Sequence, residues 1–415
     1  MNSDDFNMTL PQEALGTNQR EQRLRILISG GGTGGHIYPA LAVARVLQSR
    51  YHAQILYIGD ADGLETRLVP EAGFDLKTIH AGRLLRFMSR QTVRDLVRVP
   101  RGFFEARRIV REFAPHAAFT SGGYVAVPAG FAARRLGTPL LIHQQDVPPN
   151  LANRLLRPIA TQISISFADS EAFFPQSKTR LMGNPVRDAI VAQAGSDLRL
   201  HKRALGFSPA FPLLVVTGGS QGARHINEAV VAALPSLLER FQVLHISGQY
   251  TYEATKATAQ EMIRGLPEHV IARYRIEPYL DAEMPIALAA ADAIIARAGA
   301  ATLAELAVLG KPSILVPLPP GFGGSPQEIN AEMFVKHGAA EVVLDKDLSA
   351  ETLRTAVQDL FTNPETRVKM SLATRSFARP AAASEIASAV VALAQTHAEE
   401  RKQRAVMQAI EKASR

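Results

Sequence analysis

Short apolar runs alternate along this chain with longer stretches whose apolar residues recur every three or four positions. In the first half, the runs 24–29, 54–59, 116–120, 139–143 and 161–166 predict strands, and 36–49, 64–72, 103–113, 124–136 and 150–157 predict helices. In the second half, strands are expected at 212–217, 241–247, 271–276, 292–296, 312–316 and 340–344. Helices are expected near 224–238, 252–264, 300–309, 327–337 and 350–361. Such alternation predicts an α/β protein with doubly wound parallel sheets. GNPVR at 183–187 marks a junction, since Asn184–Pro185 initiates a turn and a polar stretch from Ala192 to Pro212 follows. The chain divides into a leader (1–22) expected to be disordered, a first domain (23–185), a second domain (186–370), a helical segment (371–397) and a charged tail (398–415). Within the last parts, an apolar helix is expected over 374–391.

Two of the strand-to-helix joints are glycine-rich. SGGGTGGH (29–36) follows the first apolar run, and TGGSQGA (217–223) follows the run 213–216. Glycine admits positive φ and close ligand approach, and the free N–H groups of a following helix favour an anion. Two such joints suggest two nucleotide-binding-like halves facing one cleft.

Composition narrows the class. With 415 residues, the chain exceeds a typical single core. It is 47% hydrophobic and 20% charged, without an uninterrupted apolar stretch of transmembrane length. Its lack of cysteine excludes disulfides, thiolate metal sites and cysteine nucleophiles. Nine arginines between Arg83 and Arg111 face only Asp95 and Glu105, an excess that equals the whole chain's net charge of +7. Leu84, Leu85, Phe87, Met88, Phe103 and Phe104 are interleaved with them. That mixture suits an anionic membrane surface; the alternative is a solvated helix face whose arginine stems cover core. A nucleic-acid footprint is disfavoured, because no reading motif is present.

Several residues are candidates for chemistry. Residues 30–35 fit G-x-G-x-x-G and Asp60 ends the next strand, so a dinucleotide-binding dehydrogenase competes. The second glycine turn weighs against it, and neither turn is a P-loop, since no GK[ST] follows. At its helix start, His36 is either a neutral imidazole able to take a proton or a loop-bonding helix-start residue. Ser220 is either a phosphate ligand or a helix N-cap. SGGY (121–124) and HQQD (143–146) end further strands of the first half, where ligands bind in open α/β sheets. Arg187 can neutralise a phosphate or serve the junction. In RAGAATLAEL (297–306), Glu305 can accept hydrogen bonds from a ribose diol or simply complement the helix dipole. A long Pro/Gly loop (317–331) rejoins a helix at Gln327.

Taken together, GGTGGHIYPALAVA, SGGYVAVPAG, GNPVR, GGSQGARHIN, RAGAATLAELAVLGKPSILVP and QEINAEMFVKHGAAEVV resemble the MurG family of peptidoglycan N-acetylglucosaminyltransferases. These blocks run in order over residues 25–345. The resemblance implies an α/β GT-B glycosyltransferase fold, with two Rossmann-like domains and an interdomain cleft. It implies inverting transfer of N-acetylglucosamine from UDP-N-acetylglucosamine to the muramoyl 4-hydroxyl of lipid I, giving lipid II. By matching position, Thr33, Gly34, Gly35, Arg187, Ser220, Leu280, Ala300, Ala301, Thr302, Leu303, Ala304, Glu305 and Gln327 would contact the donor. Ser220 and its loop would hold the diphosphate, Glu305 the ribose, and His36 would be the general base.

Three departures from the family stand out, one of them a rim before Gln327 that is glycine-rich rather than polar. The family's H-E-Q-N is His143, Gln144, Gln145 and Asp146 here, so Asp146 replaces an asparagine that approaches donor or acceptor sugar. The serine of its R-S-G-A is Ala298. No metal and no cofactor are expected, since helix N-termini can stabilise departing UDP. The expected partners are UDP-N-acetylglucosamine, lipid I and, through residues 83–111, an anionic membrane at its cytoplasmic face, with no nucleic acid. A transferase for another lipid or natural-product acceptor, and a catalytically silent nucleotide-sugar-binding module, are the alternatives.

Overall fold

The computed structural model describes residues 23–82, 90–219, 221–319 and 327–413. The expected leader 1–22, the start of the arginine-rich segment (83–89), Ser220, the rim 320–326 and the last two residues lie outside the described residues.

The first lobe runs β1 (Arg25–Ser29), α1 (Gly34–Tyr51), β2 (Gln54–Asp60), α2 (Glu65–Glu71), β3 (Asp75–Ile79), α3 (Arg90–Phe113), β4 (Ala117–Thr120), α4 (Ala126–Arg135), β5 (Leu140–Gln144), α5 (Leu151–Leu156), β6 (Gln162–Ile165) and β7 (Thr179–Leu181). Two short helices, α6 (Asp188–Val191) and α7 (Leu198–Ala204), lead into the second lobe. It continues through β8 (Leu213–Thr217), α8 (Arg224–Leu237), β9 (Gln242–Ile246), α9 (Tyr252–Met262), α10 (Glu268–Ile271), β10 (Tyr274–Glu277), α11 (Met284–Ala290), β11 (Ala293–Ala296), α12 (Ala300–Leu309), β12 (Ser313–Leu315), α13 (Glu328–Lys336) and β13 (Glu341–Val342). Helices α14 (Ala350–Thr362), α15 (Pro364–Ser376) and α16 (Ala382–Ala413) complete the chain.

Both sheets are parallel and share one plan. Their orders are β3-β2-β1-β4-β5-β6-β7 and β10-β9-β8-β11-β12-β13. Each order reverses beside its first strand, between β1 and β4 and between β8 and β11. Such switch points open a crevice at the strands' carboxyl ends. Both glycine turns leave the sheets there. Strands β4, β5, β8, β9 and β11 are buried throughout, which explains their continuous apolar runs.

The last helix is not an appendage of the second lobe. Ile386, Ala387, Val390, Val391 and Ala394 of α16 share a core with Ile37, Leu41, Ala44 and Leu47 of α1. Full burial of a Val or Ile side chain contributes about 1.5–3 kcal/mol, so this seam is a substantial part of the first lobe's stability. The chain thus crosses between lobes twice, near 183–187 and again at 377–381. The expected continuous helix over 374–391 is interrupted at the second crossing, because Pro380 lacks an N–H and disfavours helix at Arg379. Phe167 of the first lobe packs edge-on against Phe334 and Phe377 of the second, with centroids 6.3 and 6.4 Å away.

Candidate active site in the interlobe cleft

The first glycine turn is built against its neighbour after β4. Gly31 N–H donates to Gly122 O (3.2 Å), and a Cβ on Gly123, whose φ is +84°, would run into the Gly31 backbone. Beneath the turn, fully buried Glu65 accepts the Gly32 N–H at 3.0 Å. The Tyr57 hydroxyl donates to Gly30 O at 2.5 Å. A carboxylate already occupies the inner face of this loop, so it is no pyrophosphate cradle. Asp60, which a dinucleotide ribose would need, is buried and accepts the Tyr124 hydroxyl at 2.5 Å. The dehydrogenase reading loses both of its contacts.

Thr33, Gly34 and Gly35 form the outer rim, with Thr33 as an extended N-cap whose hydroxyl caps no backbone N–H. That hydroxyl instead meets His36 Nδ1 at 3.1 Å. When Thr33 accepts this bond, the other ring nitrogen, Nε2, carries the lone pair. A Cβ built on Gly122 would lie 3.2 Å from His36 Nε2 and 3.1 Å from Asn150 Nδ2, so glycine keeps the space beside the imidazole open. Burial lowers the proton affinity of His36, and the Asp146 charge opposes it. The neutral form is thereby favoured.

Three of the four polar residues at the end of β5 and just beyond it turn inward. His143 is fully buried between Ser164 Oγ (3.1 Å) and Asn184 Oδ1 (2.9 Å), and burial pulls its pKa down to about 4. Gln144 is held by Asn153 Nδ2 (2.8 Å), and Gln145 donates to Ser121 O (3.0 Å). Only Asp146 reaches the cleft side. Its Oδ1 accepts from Asn330 Nδ2 of α13 at 2.9 Å, while Asn330 Oδ1 accepts the Val147 N–H at 2.9 Å. One buried amide therefore joins the lobes.

Across the cleft, α12 begins after Gly299. The side chains of Ala300, Leu303 and Ala304 face the core, whereas Ala301, Thr302 and Glu305 are half-buried toward the cleft side. Glu305 pairs with Arg187, 3.3 Å away. Burial raises the Glu305 pKa and the Arg187 charge opposes the rise. Gln327 Oε1 accepts the Leu318 N–H (3.1 Å), and its Nε2 lies 3.4 Å from where a Cβ on Gly299 would be. Leu280 is core, only 5% exposed, which leaves no side-chain surface for a donor. Around Ser220, which is outside the described residues, Gly219 and Gly222 both have φ +86°, and Gly222 packs on Gly248. Arg297 is a strut bonded to Val316 O, Pro317 O and Asp345.

Residue-type reading alone missed Tyr38, Tyr279, Glu65, Asn150 and Asn330. Tyr38 on α1 faces Tyr279 of the second lobe, beside Arg187, and burial holds the Tyr279 hydroxyl protonated. Asn330, three residues after Gln327 in QEIN, carried the most accessible signal: a polar residue on the otherwise apolar face of α13.

The chain matches known proteins over both lobes. Residues 26–165 match the glycosyltransferase family 28 N-terminal domain and 213–386 its C-terminal domain. The UDP-N-acetylglucosamine–N-acetylmuramyl-(pentapeptide) pyrophosphoryl-undecaprenol N-acetylglucosamine transferase of Bacillus cytotoxicus is 38% identical, over 88% of this chain and 97% of its own. The protein of the same name from Desulforamulus reducens is 41% identical, over 88% and 98%. The crystal structure of Acinetobacter baumannii MurG superposes with a TM-score of 0.69 at 28% identity, covering 88% of this chain and 99% of that one. With matched domains on both lobes and these relatives along nearly their whole length, the chain belongs to glycosyltransferase family 28, in its MurG family of GT-B enzymes.

Proposed function

We propose that this chain transfers N-acetylglucosamine from UDP-N-acetylglucosamine to the muramoyl 4-hydroxyl of lipid I, with inversion, and so forms lipid II. The observation that carries the reading is that the first turn of α1, which holds His36, reaches the second lobe through Tyr38 and Tyr279, beside Arg187 of the Arg187–Glu305 pair. The acceptor hydroxyl gives its proton to His36 Nε2 as its oxygen attacks the sugar's C1. The C1–O bond to UDP breaks, and the electron pair leaves with the diphosphate. Favouring neutral imidazole by burial suits a base operating near neutrality.

Donor binding would divide the resting ion pair. The ribose hydroxyls would donate to Glu305, and Arg187 would turn to the diphosphate together with Ser220 and the amides of its loop. Thr33, Gly34 and Gly35 would border the sugar, and Gln327 with Ala301 and Thr302 the hexose and phosphate side. Since the side chains of Leu280, Ala300, Leu303 and Ala304 are core, any contact they make would come from the main chain. Asp146, bonded to Asn330, would act on His36 through its charge rather than through a phosphate.

Membrane association fits the acceptor. No helix among the described residues is long and apolar enough to cross a membrane. Helix α3 places Arg90, Arg94, Arg98, Arg101, Arg107, Arg108 and Arg111 on one 24-residue helix, with Phe104 63% exposed. That supports peripheral attachment at an anionic cytoplasmic face. The direct test is to incubate labelled UDP-N-acetylglucosamine with lipid I in detergent and chelator. Label in a lipid-linked disaccharide is expected; donor binding without product would favour a silent module, and transfer only to another acceptor would favour a divergent transferase.

A further inference from the structure

At the opposite end of the first sheet from the cleft, α16 runs past the chain ends that precede β5 and β6. A pocket of about 600 Å³ opens there, in the size range of small-ligand sites. Arg134, Thr161, His397, Glu400, Arg401 and Arg404 line it. Because the strands are parallel, the pocket and His36 are separated by at least the length of β5, roughly 16 Å for five residues. His397, Arg401 and Arg404 lie beyond the stretch matched to the family domain, which ends at 386.

The cations converge without enough carboxylate to neutralise them. Glu400 pairs with Arg404 at 3.6 Å. Among the described residues, Arg134 and Arg401 have no carboxylate partner, and Arg134 donates only to Thr138 O (3.2 Å). Arg25 and His116 stand just behind, with His116 Nδ1 accepting the Arg25 N–H at 3.0 Å. The like charges act on each other. Burial first, then Arg401, lower the proton affinity of His397; Glu400 opposes them, and Arg404 and Arg134 add smaller lowering effects. Burial, Arg25, Arg401 and His397 do the same to His116. A bound anion would relieve this repulsion, and arginine forks match phosphate oxygens.

We propose that this pocket between α16 and the base of the first sheet is a second ligand site, distinct from the donor cleft, that binds a phosphate-bearing group. Arg134, Arg401 and Arg404 hold the phosphate oxygens, and the apolar floor of Leu136, Pro139 and Leu393 takes the attached carbon skeleton. The phosphate can belong to a soluble molecule or to a lipid headgroup.

The full chain tests both sources. The His397 ring resonance, assigned with H397Q, is followed while inorganic pyrophosphate is added. It should move, and its titration midpoint should rise as the anion offsets the arginines. R401Q/R404Q, two exposed changes, should weaken the response about tenfold, as expected for a lost charge-assisted bond. In the second arm, flotation with phosphatidylglycerol vesicles, against phosphatidylcholine vesicles, is compared for the same two proteins. A response to pyrophosphate assigns a soluble phosphate. A pyrophosphate-silent His397 with about tenfold weaker flotation of the variant assigns a headgroup. If the double substitution changes neither response, the proposal is overturned.

Discussion

Asn330, fully buried on α13, donates its side-chain amide to the Asp146 carboxylate of the other lobe at 2.9 Å. The same Nδ2 donates to Ala298 O (3.0 Å), so the second lobe orients an acid that acts on the candidate base of the first. In Asp146→Asn, His36 loses the charge that raises its proton affinity. Its pKa falls, and a base that must be neutral then stays active to lower pH. The acid limb of the kcat profile should shift to lower pH, with donor KM little altered. An unmoved limb would mean that Asp146 does not tune the base.

His36→Ala should remove proton transfer but leave the donor's contacts in place. The expected loss in kcat is about 10²–10⁴-fold, with donor KM near the wild-type value. Steady-state kinetics over a range of UDP-N-acetylglucosamine separates this from a binding defect.

Glu305→Ala should do the reverse. Losing the ribose acceptor and freeing Arg187 costs about 1–3 kcal/mol, or roughly 5- to 150-fold in donor affinity, measured calorimetrically with UDP.

The Arg187–Glu305 pair also sets a pH dependence of stability. Burial raises the folded-state pKa of Glu305, so the folded chain binds more protons than the unfolded one between the two values. In that window stability falls as pH rises. Arg187 opposes the rise, so Arg187→Gln raises the folded pKa further and extends the window upward. Thermal unfolding of the variant should therefore fall behind wild type as pH increases from mild acid toward neutrality.

How far the sequence was legible follows from which residues carry their information locally. The glycine turns after β1 and β8 were visible because only glycine fits their φ values and close approaches. β3 was missed because Asp75, Lys77 and Thr78 are exposed at the sheet edge, which removes the apolar run of a buried strand. Only the last half of α3 was expected, since its arginines and Pro100 hide the helix that begins at Arg90. Glu65 reads as an ordinary first-turn acid, yet it fills the first glycine loop. No local pattern pairs Asp146 with Asn330, 184 positions apart, or lays α16 on α1.

That long-range packing makes its own prediction. Ile386 is completely buried against the first lobe. Ile386→Ala should cost about 2–5 kcal/mol in urea unfolding, even though it lies two hundred residues beyond that lobe's last strand.

The donor is expected between the two lobes, with UDP at the start of α12 and its sugar turned toward His36. A crystal structure with UDP-N-acetylglucosamine bound decides the matter. The ribose hydroxyls should lie on Glu305, the diphosphate beside Arg187 and the 219–222 turn, and the sugar's C1 should face His36. Density for UDP in the first glycine turn over Glu65, or outside the cleft, would rule this placement out.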